Sequence, residues 1–419
     1  MKSFIQRWAS SVVIQALGPL CAFATVFVVA RLGGAAAQGH FAQTKAWIDL
    51  LVALGCFGFP QGIVYVVNRL GASAHRLAWY GVVYSLAFLP VAWAVTFVGA
   101  THGWAGLVLD GGQLGMFVYA LAGALLVLHG LLRGVYLSRQ QGASFALFSI
   151  MPAATLLVAV LGTSGQGLYA EQILAAAAVS ALIGAGLLIV QLRRASAQSA
   201  ATPWRALFSN SAQSFAQSVL MTVQPLLSYS FVRAAGSGDV EVGYLNAGVF
   251  LTQGLIVPIG LISPLVFARW TSRYDPDLLR RLQGHTARWL AWGALASVAL
   301  AAWAYWATPL IFGAGYQMAA SAVALMVLTV PQAIHGRLLA PALHAQGQPG
   351  INTIGAAVRL VGLAVVGGLL VQSGVTTLDA MALGWSGGEL LSLAWTLWLL
   401  RRLSAPVSDH ATLASKEDA

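Results

Sequence analysis

The residues able to do chemistry in this chain are few, and most stand where charge is costly. Arg31 and Arg233 close long apolar runs, Lys45 and Asp49 sit four apart at the start of another, and Arg359 and Glu389 lie well inside two more. A planar guanidinium matches the paired oxygens of an oxyanion, so Arg31, Arg233 and Arg359, joined by Lys45, read as a cationic set able to hold an anion. Asp49 and Glu389 are the acids that could carry a coupling proton or Na⁺. Each has a structural reading beside the chemical one. Arg31 and Arg233 can snorkel to a membrane interface. Lys45 and Asp49, at i and i+4, can pair on one helix face. Arg359 and Glu389 each lie about 15 residues from a turn centred near residue 374, so antiparallel neighbours would hold them at one depth as a buried ion pair. That pair is either structural or opened by a competing phosphate.

Amides form the second group. Gln213, Gln217, Gln224 and Ser228 fall on one face of a 3.6-residue repeat, answered by Ser11 and Gln15 early in the chain. Such a stripe needs a wet, hydrogen-bonding cleft, or glues one helix to its neighbour. His129 and His335, each followed by glycine, are packing residues or proton-linked contacts. Cys21 and Cys56 stand in no CxxC or CxxH context, and neither HExxH nor GxxxxGK[ST] occurs, so the sequence calls for no metal, cofactor or ATP.

These side chains need elements to hold them, and the composition says which. Of 419 residues, 58% are hydrophobic and 8% charged, too few charges to clothe soluble domains. Apolar runs long enough to cross about 30 Å of hydrocarbon fall at 10–31, 41–67, 78–99, 114–137, 145–163, 168–192, 209–232, 242–268, 287–312, 318–342, 350–371 and 377–400. The first is too long for a cleaved secretory signal and reads as a retained helix. Seven prolines, Pro60, Pro90, Pro225, Pro258, Pro264, Pro331 and Pro341, fall within these runs and imply kinks. If the N-terminus is cytoplasmic, 18 of the 22 Lys and Arg, Arg337 among them, collect on that side. Three lie opposite and Arg359 is intramembrane, so both termini are expected inside. The net charge of +10 then records orientation and needs no nucleic acid.

The chain also repeats. Gln15 and Arg31 are spaced as Gln217 and Arg233; Gly39 and Pro60 as Gly243 and Pro264; His129 with Gln141 nearly as His335 with Gln346. The offset stays near half the chain, so spans one to six and seven to twelve read as copies. Six is even, so the copies run in the same sense, related by an axis along the membrane normal. The expectation is an all-α integral membrane protein with twelve transmembrane helices in two six-helix bundles around a central cleft. Its parts are an N-terminal bundle at 1–192, a basic interfacial linker at 193–208, a C-terminal bundle at 209–403 and a disordered tail at 404–419. A membrane glycosyltransferase or polymerase is the less favoured alternative, since the longest outer connection, 100–113, carries only His102 and Asp110 where such enzymes present catalytic carboxylates or arginines. The two-bundle arrangement is that of alternating-access transporters, so the chain is read as a transporter and not an enzyme.

The stretch Phe27 to Phe41, FVVARLGGAAAQGHF, resembles the link between the first two helices of Wzx-type polysaccharide and O-antigen flippases, and Leu310 to Pro349 resembles that family's span ten with its flanks. Two departures are Ala35 to Ala37, where an acidic residue or proline is usual, and His40, where the family is often aromatic or apolar. The resemblance implies a MATE-like member of the multidrug/oligosaccharidyl-lipid/polysaccharide exporter superfamily. It would be a monomer in the bacterial inner membrane, passing undecaprenyl-diphosphate-linked oligosaccharide to the periplasmic leaflet for lipopolysaccharide assembly by alternating access, near the polymerase machinery. A cation-exporting multidrug antiporter is the alternative within the superfamily.

Overall fold

The computed structural model describes residues 2–103, 112–139, 142–163, 167–192, 203–272, 278–345 and 350–404, with side chains omitted at 2–13, 142–144, 188–192, 213, 261–272, 340–341, 344–345 and 404. The sequence readings of the tail beyond 404, of linker residues 193–202 and of Asp110 lie outside the described residues, as does the side chain of Gln213.

Two glycine-driven breaks shape the first hairpin. α1 spans Lys2–Cys56 but breaks at Gly34, whose φ of 74° and ψ of −171° leave the helical region. Thr25 and Val26 before the break and Phe41, Ala42 and Lys45 after it line one cavity, so this single long segment supplies two crossings. At Phe57 (φ 46°) and Gly58 (φ 69°) the helix breaks again, and α2, Phe59–Leu70, restarts with Pro60 in its first turn and ends on a left-handed Gly71.

The remaining N-terminal helices are α3 (Ala74–Thr101), opened by the Ser73 side chain, α4 (Gly112–Ser138), α5 (Gly142–Gly162) and α6 (Tyr169–Leu192). The C-terminal half holds α7 (Trp204–Ala234), α8 (Asp239–Ser272), α9 (Leu278–Phe312), a 3₁₀ turn at Ala314–Ala319, α10 (Ala320–Val327), α11 (Val330–Ala345), α12 (Gly350–Gln372) and α13 (Thr377–Ser404). α7 begins inside the stretch expected to be linker, because Trp204 to Phe208 continue straight into the helix. α10 and α11 together make one crossing, which gives twelve among the described residues. Polarity within α7 and charge within α13 keep these two out of the otherwise clearly apolar set.

The surface suits lipid. Leu182, Trp306 and Leu310 are each more than 70% exposed, while Ser85, Thr96, Ser180 and Thr308 turn their hydroxyls back onto carbonyls four residues earlier. Within the halves, α3 packs on α4 and α4 on α6, and α12 packs on α13; between them, α1 packs against α7 and α8, and α2 against α7. The cleft therefore lies between α1–α2 and α7–α8.

Candidate functional site

A cavity of about 770 Å³ occupies that cleft. Most of its lining is aliphatic, with Thr25, Lys45, Asp49, Gln61, Ser218, Thr222, Tyr229, Asn246 and Gln253 supplying polar side chains. Lys45 Nζ and Asp49 Oδ2 lie 2.5 Å apart, both side chains more than 40% exposed. Opposite them the buried Tyr229 hydroxyl donates to Asn246 Oδ1 at 2.8 Å. The cavity wall is thus an ion pair from one half and a phenol–amide pair from the other.

α7 presents Ser218, Met221, Thr222, Pro225 and Tyr229 to the cavity. The amide stripe lies about 100° away around the helix, one residue's rotation. Gln217 is exposed and Gln224 is buried with its Nε2 unpaired, neither lining the cavity, and Ser228 bonds back to the Gln224 carbonyl. Gln15, half-buried, is likewise not among the lining residues. The face of α7 turned to the cavity is therefore the neighbour of the amide face.

Arg31 and Arg233 also stand away from the cavity wall expected for them. Arg31 Nε donates to the Ile311 carbonyl at 2.9 Å and a second guanidinium nitrogen reaches that of Leu310, capping orphan carbonyls in the last turn of α9. Arg233 donates across the halves to Gln43 Oε1 at 3.0 Å and pairs with Asp239 at the start of α8. Tyr316 reaches Gln38 beside them. The same end holds Gly39 and Gly243, the repeat-related glycines. A Cβ on Gly39 would stand 1.9 Å from the Asp239 carbonyl oxygen, and one on Gly243 1.9 Å from that of Ala35. The two halves thus touch backbone to backbone in a reciprocal pair at this end of the cleft, opposite the start of α1 and the end of α13.

Behind the cavity wall lies the third charged group. Arg359 Nε and Glu389 Oε1 are 3.0 Å apart, both nine-tenths buried or more, at the common depth their spacing implied. Glycine sets this register: a Cβ on Gly388 would lie 2.4 Å from the Arg359 carbonyl oxygen, so α12 and α13 meet at backbone contact beside the pair. A second cation is present. Arg337, counted with the topological charges in the sequence, reaches Glu389 from α11 at 3.8 Å. Arg359 also places NH1 3.0 Å from the sulfur of Met221, which lines the cavity.

The repeated histidines pack alike. His129 lies on Phe148 with ring centroids 4.2 Å apart, and His335 stacks on Trp289 at 5.5 Å, with a ring nitrogen near the Thr286 hydroxyl. Tyr229, Met221, Asn246, Gln61 and Gln253 were not singled out in the sequence, and Arg337 was counted there among the topological charges; Asn246, Gln61 and Gln253 did carry a signal, each an amide inside an apolar run.

This architecture is shared with solved proteins. An inward-facing multidrug resistance MATE family transporter of the MOP superfamily aligns over 94% of this chain and 98% of its own, with 16% identity and a TM-score of 0.74. The lipid II flippase MurJ, in an inward closed conformation, aligns over 94% and 90% with 9% identity and a TM-score of 0.69. A MOP superfamily transporter from Pyrococcus furiosus, described as having a binding pocket of reversed polarity, aligns over 96% and 95% with 16% identity and a TM-score of 0.65. No protein-family profile and no curated protein sequence matches the chain. The chain has the fold of the MOP superfamily transporters and is a multi-pass membrane protein.

Proposed function

We propose that the protein is a flippase for an anionic lipid-linked saccharide of the undecaprenyl-diphosphate type, acting in polysaccharide assembly at the bacterial inner membrane with both termini cytoplasmic. The observation that carries this reading is the charge around the cavity. Lys45 neutralises Asp49, while two arginines share Glu389 immediately behind Met221. The cleft therefore carries a surplus of positive charge, which favours a diphosphate and disfavours the organic cations of a multidrug antiporter.

In this reading Lys45 and Arg359 attract the diphosphate while Thr222, Tyr229, Asn246 and Gln253 offer hydrogen bonds to the sugars. The distal seam of Gly39, Gly243, Arg31 and Arg233 is the periplasmic gate. The protein is no enzyme: the substrate leaves chemically unchanged, moved by rocking of one half on the other.

The test is transfer of a fluorescent lipid-linked oligosaccharide between leaflets of proteoliposomes holding the purified protein, followed by quencher accessibility. Transfer above protein-free vesicles, slowed by Lys45→Ala, is expected. Exchange of organic cations for protons with no lipid transfer would overturn the flippase reading in favour of antiport.

A further inference from the structure

The Glu389 carboxylate has more cation than it needs. Buried at 2% exposure, it stands between Arg359 at 3.0 Å and Arg337 at 3.8 Å, and no described carboxylate besides Glu389 pairs with either arginine. A buried carboxylate stripped of its only partner is strongly destabilising, so a lone Arg359–Glu389 pair would be locked. With two arginines one can leave while the other stays. Arg359 is the one placed to leave, because its NH1 rests on a thioether sulfur, a weak acceptor. That sulfur belongs to a flexible side chain in the cavity wall.

We infer that Arg337, Arg359 and Glu389 form a cation relay in which Met221 is a displaceable plug. A diphosphate in the cavity turns Met221 aside and draws the Arg359 guanidinium off Glu389, and Arg337 closes on the carboxylate in its place. The ligand class is a di- or pyrophosphate ester, whose paired oxygens match a planar guanidinium. Arg337 is a positioning residue, acting through Glu389 and never touching the ligand. Arg359 stays anchored on α12 while Arg337 and Glu389 come from α11 and α13, so the relay also ties occupancy of the cavity to the packing of the C-terminal half. This inference rests on the diphosphate reading above.

The experiment is equilibrium binding of radiolabelled farnesyl diphosphate to the full-length protein in lipid nanodiscs. Arg359→Gln is expected to weaken binding at least about tenfold, the loss of one charge-assisted contact. Met221→Ala, which removes the plug, is expected to tighten it several-fold. The decisive readout is a double-mutant cycle, which separates action through Glu389 from a general field. Arg337→Gln should weaken binding about tenfold in the native background but less than about twofold beside Glu389→Gln, because Arg359 then needs no substitute. Equal effects of Arg337→Gln in both backgrounds would overturn the relay, as would unchanged binding in Met221→Ala, a variant that leaves every charge in place. Failure of the native protein to bind the probe would instead overturn the diphosphate reading and the relay together.

Discussion

Gly243→Ala should hold the distal gate open, and the structure gives the size of the effect. The new Cβ would stand 1.9 Å from the Ala35 carbonyl oxygen and 2.8 Å from its carbon, both backbone atoms of the opposing half. An ordinary carbon–oxygen contact needs about 3.3 Å, so α8 and the start of the second crossing must part by roughly 1.4 Å. No side-chain rotation relieves this clash. Overpacking of this kind costs about 1–3 kcal/mol, and the open state, in which the seam is parted, escapes it. At about 1.4 kcal/mol per tenfold, the closed form should lose roughly 5- to 150-fold in population against the open one. Spin labels at Leu32→Cys and Met318→Cys, exposed on the two halves, in a Cys21→Ser, Cys56→Ala background, would report the separation by double electron–electron resonance. The expected result is a shift to longer distances in Gly243→Ala and Gly39→Ala alike. Gly186→Ala, whose Cβ would meet nothing within 4 Å, should leave the distribution as it was. Identical distributions in native protein and Gly243→Ala would refute the reasoning, showing that the seam relaxes locally without parting the halves.

Three further outcomes are expected. Lys45→Ala and Asp49→Ala should each change stability by less than about 1 kcal/mol, since the pair is two-fifths exposed, so a large shift in thermal unfolding would assign the pair a structural role. Tyr229→Phe leaves the buried Asn246 oxygen without its donor and should cost about 1–3 kcal/mol, read as earlier unfolding; equal stability would mean that another donor takes over. His129→Phe and His335→Phe keep an aromatic ring against Phe148 and Trp289, so the transport rate should keep its native profile between about pH 6 and 8. Loss of a pH dependence in either variant would instead make that histidine a proton carrier.

Much of this architecture was legible in one dimension because lipid imposes a coarse rule: every crossing must be long, apolar and internally hydrogen-bonded. Hydropathy therefore located the crossings, and the repeat of Gln15–Arg31 in Gln217–Arg233 and of Gly39 in Gly243 exposed the duplication. The Arg359–Glu389 contact was legible for a related reason, since a short turn fixes the register of the antiparallel pair it joins. What local pattern could not fix was rotation about a helix axis and the choice of neighbour. The amide stripe of α7 looked like a cleft wall, yet packing on α1 and α2 turns Met221, Pro225 and Tyr229 to the cavity instead. Arg31 and Arg233 were set at the ends of their helices by sequence, but only the assembled halves gave them carbonyls, Gln43 and Asp239 to hold. Arg337, counted in the sequence among the topological charges, meets Glu389 because α11 packs beside α13. Residue order alone thus shows which side chains stand at membrane depth and pairs those joined by one helix or one short turn, Lys45 with Asp49 and Arg359 with Glu389; the contacts of Arg31 with α9, of Arg233 with Gln43 and of Arg337 with Glu389 come from elements not joined to theirs by such a register, and there helix packing sets the rotation that brings partners together.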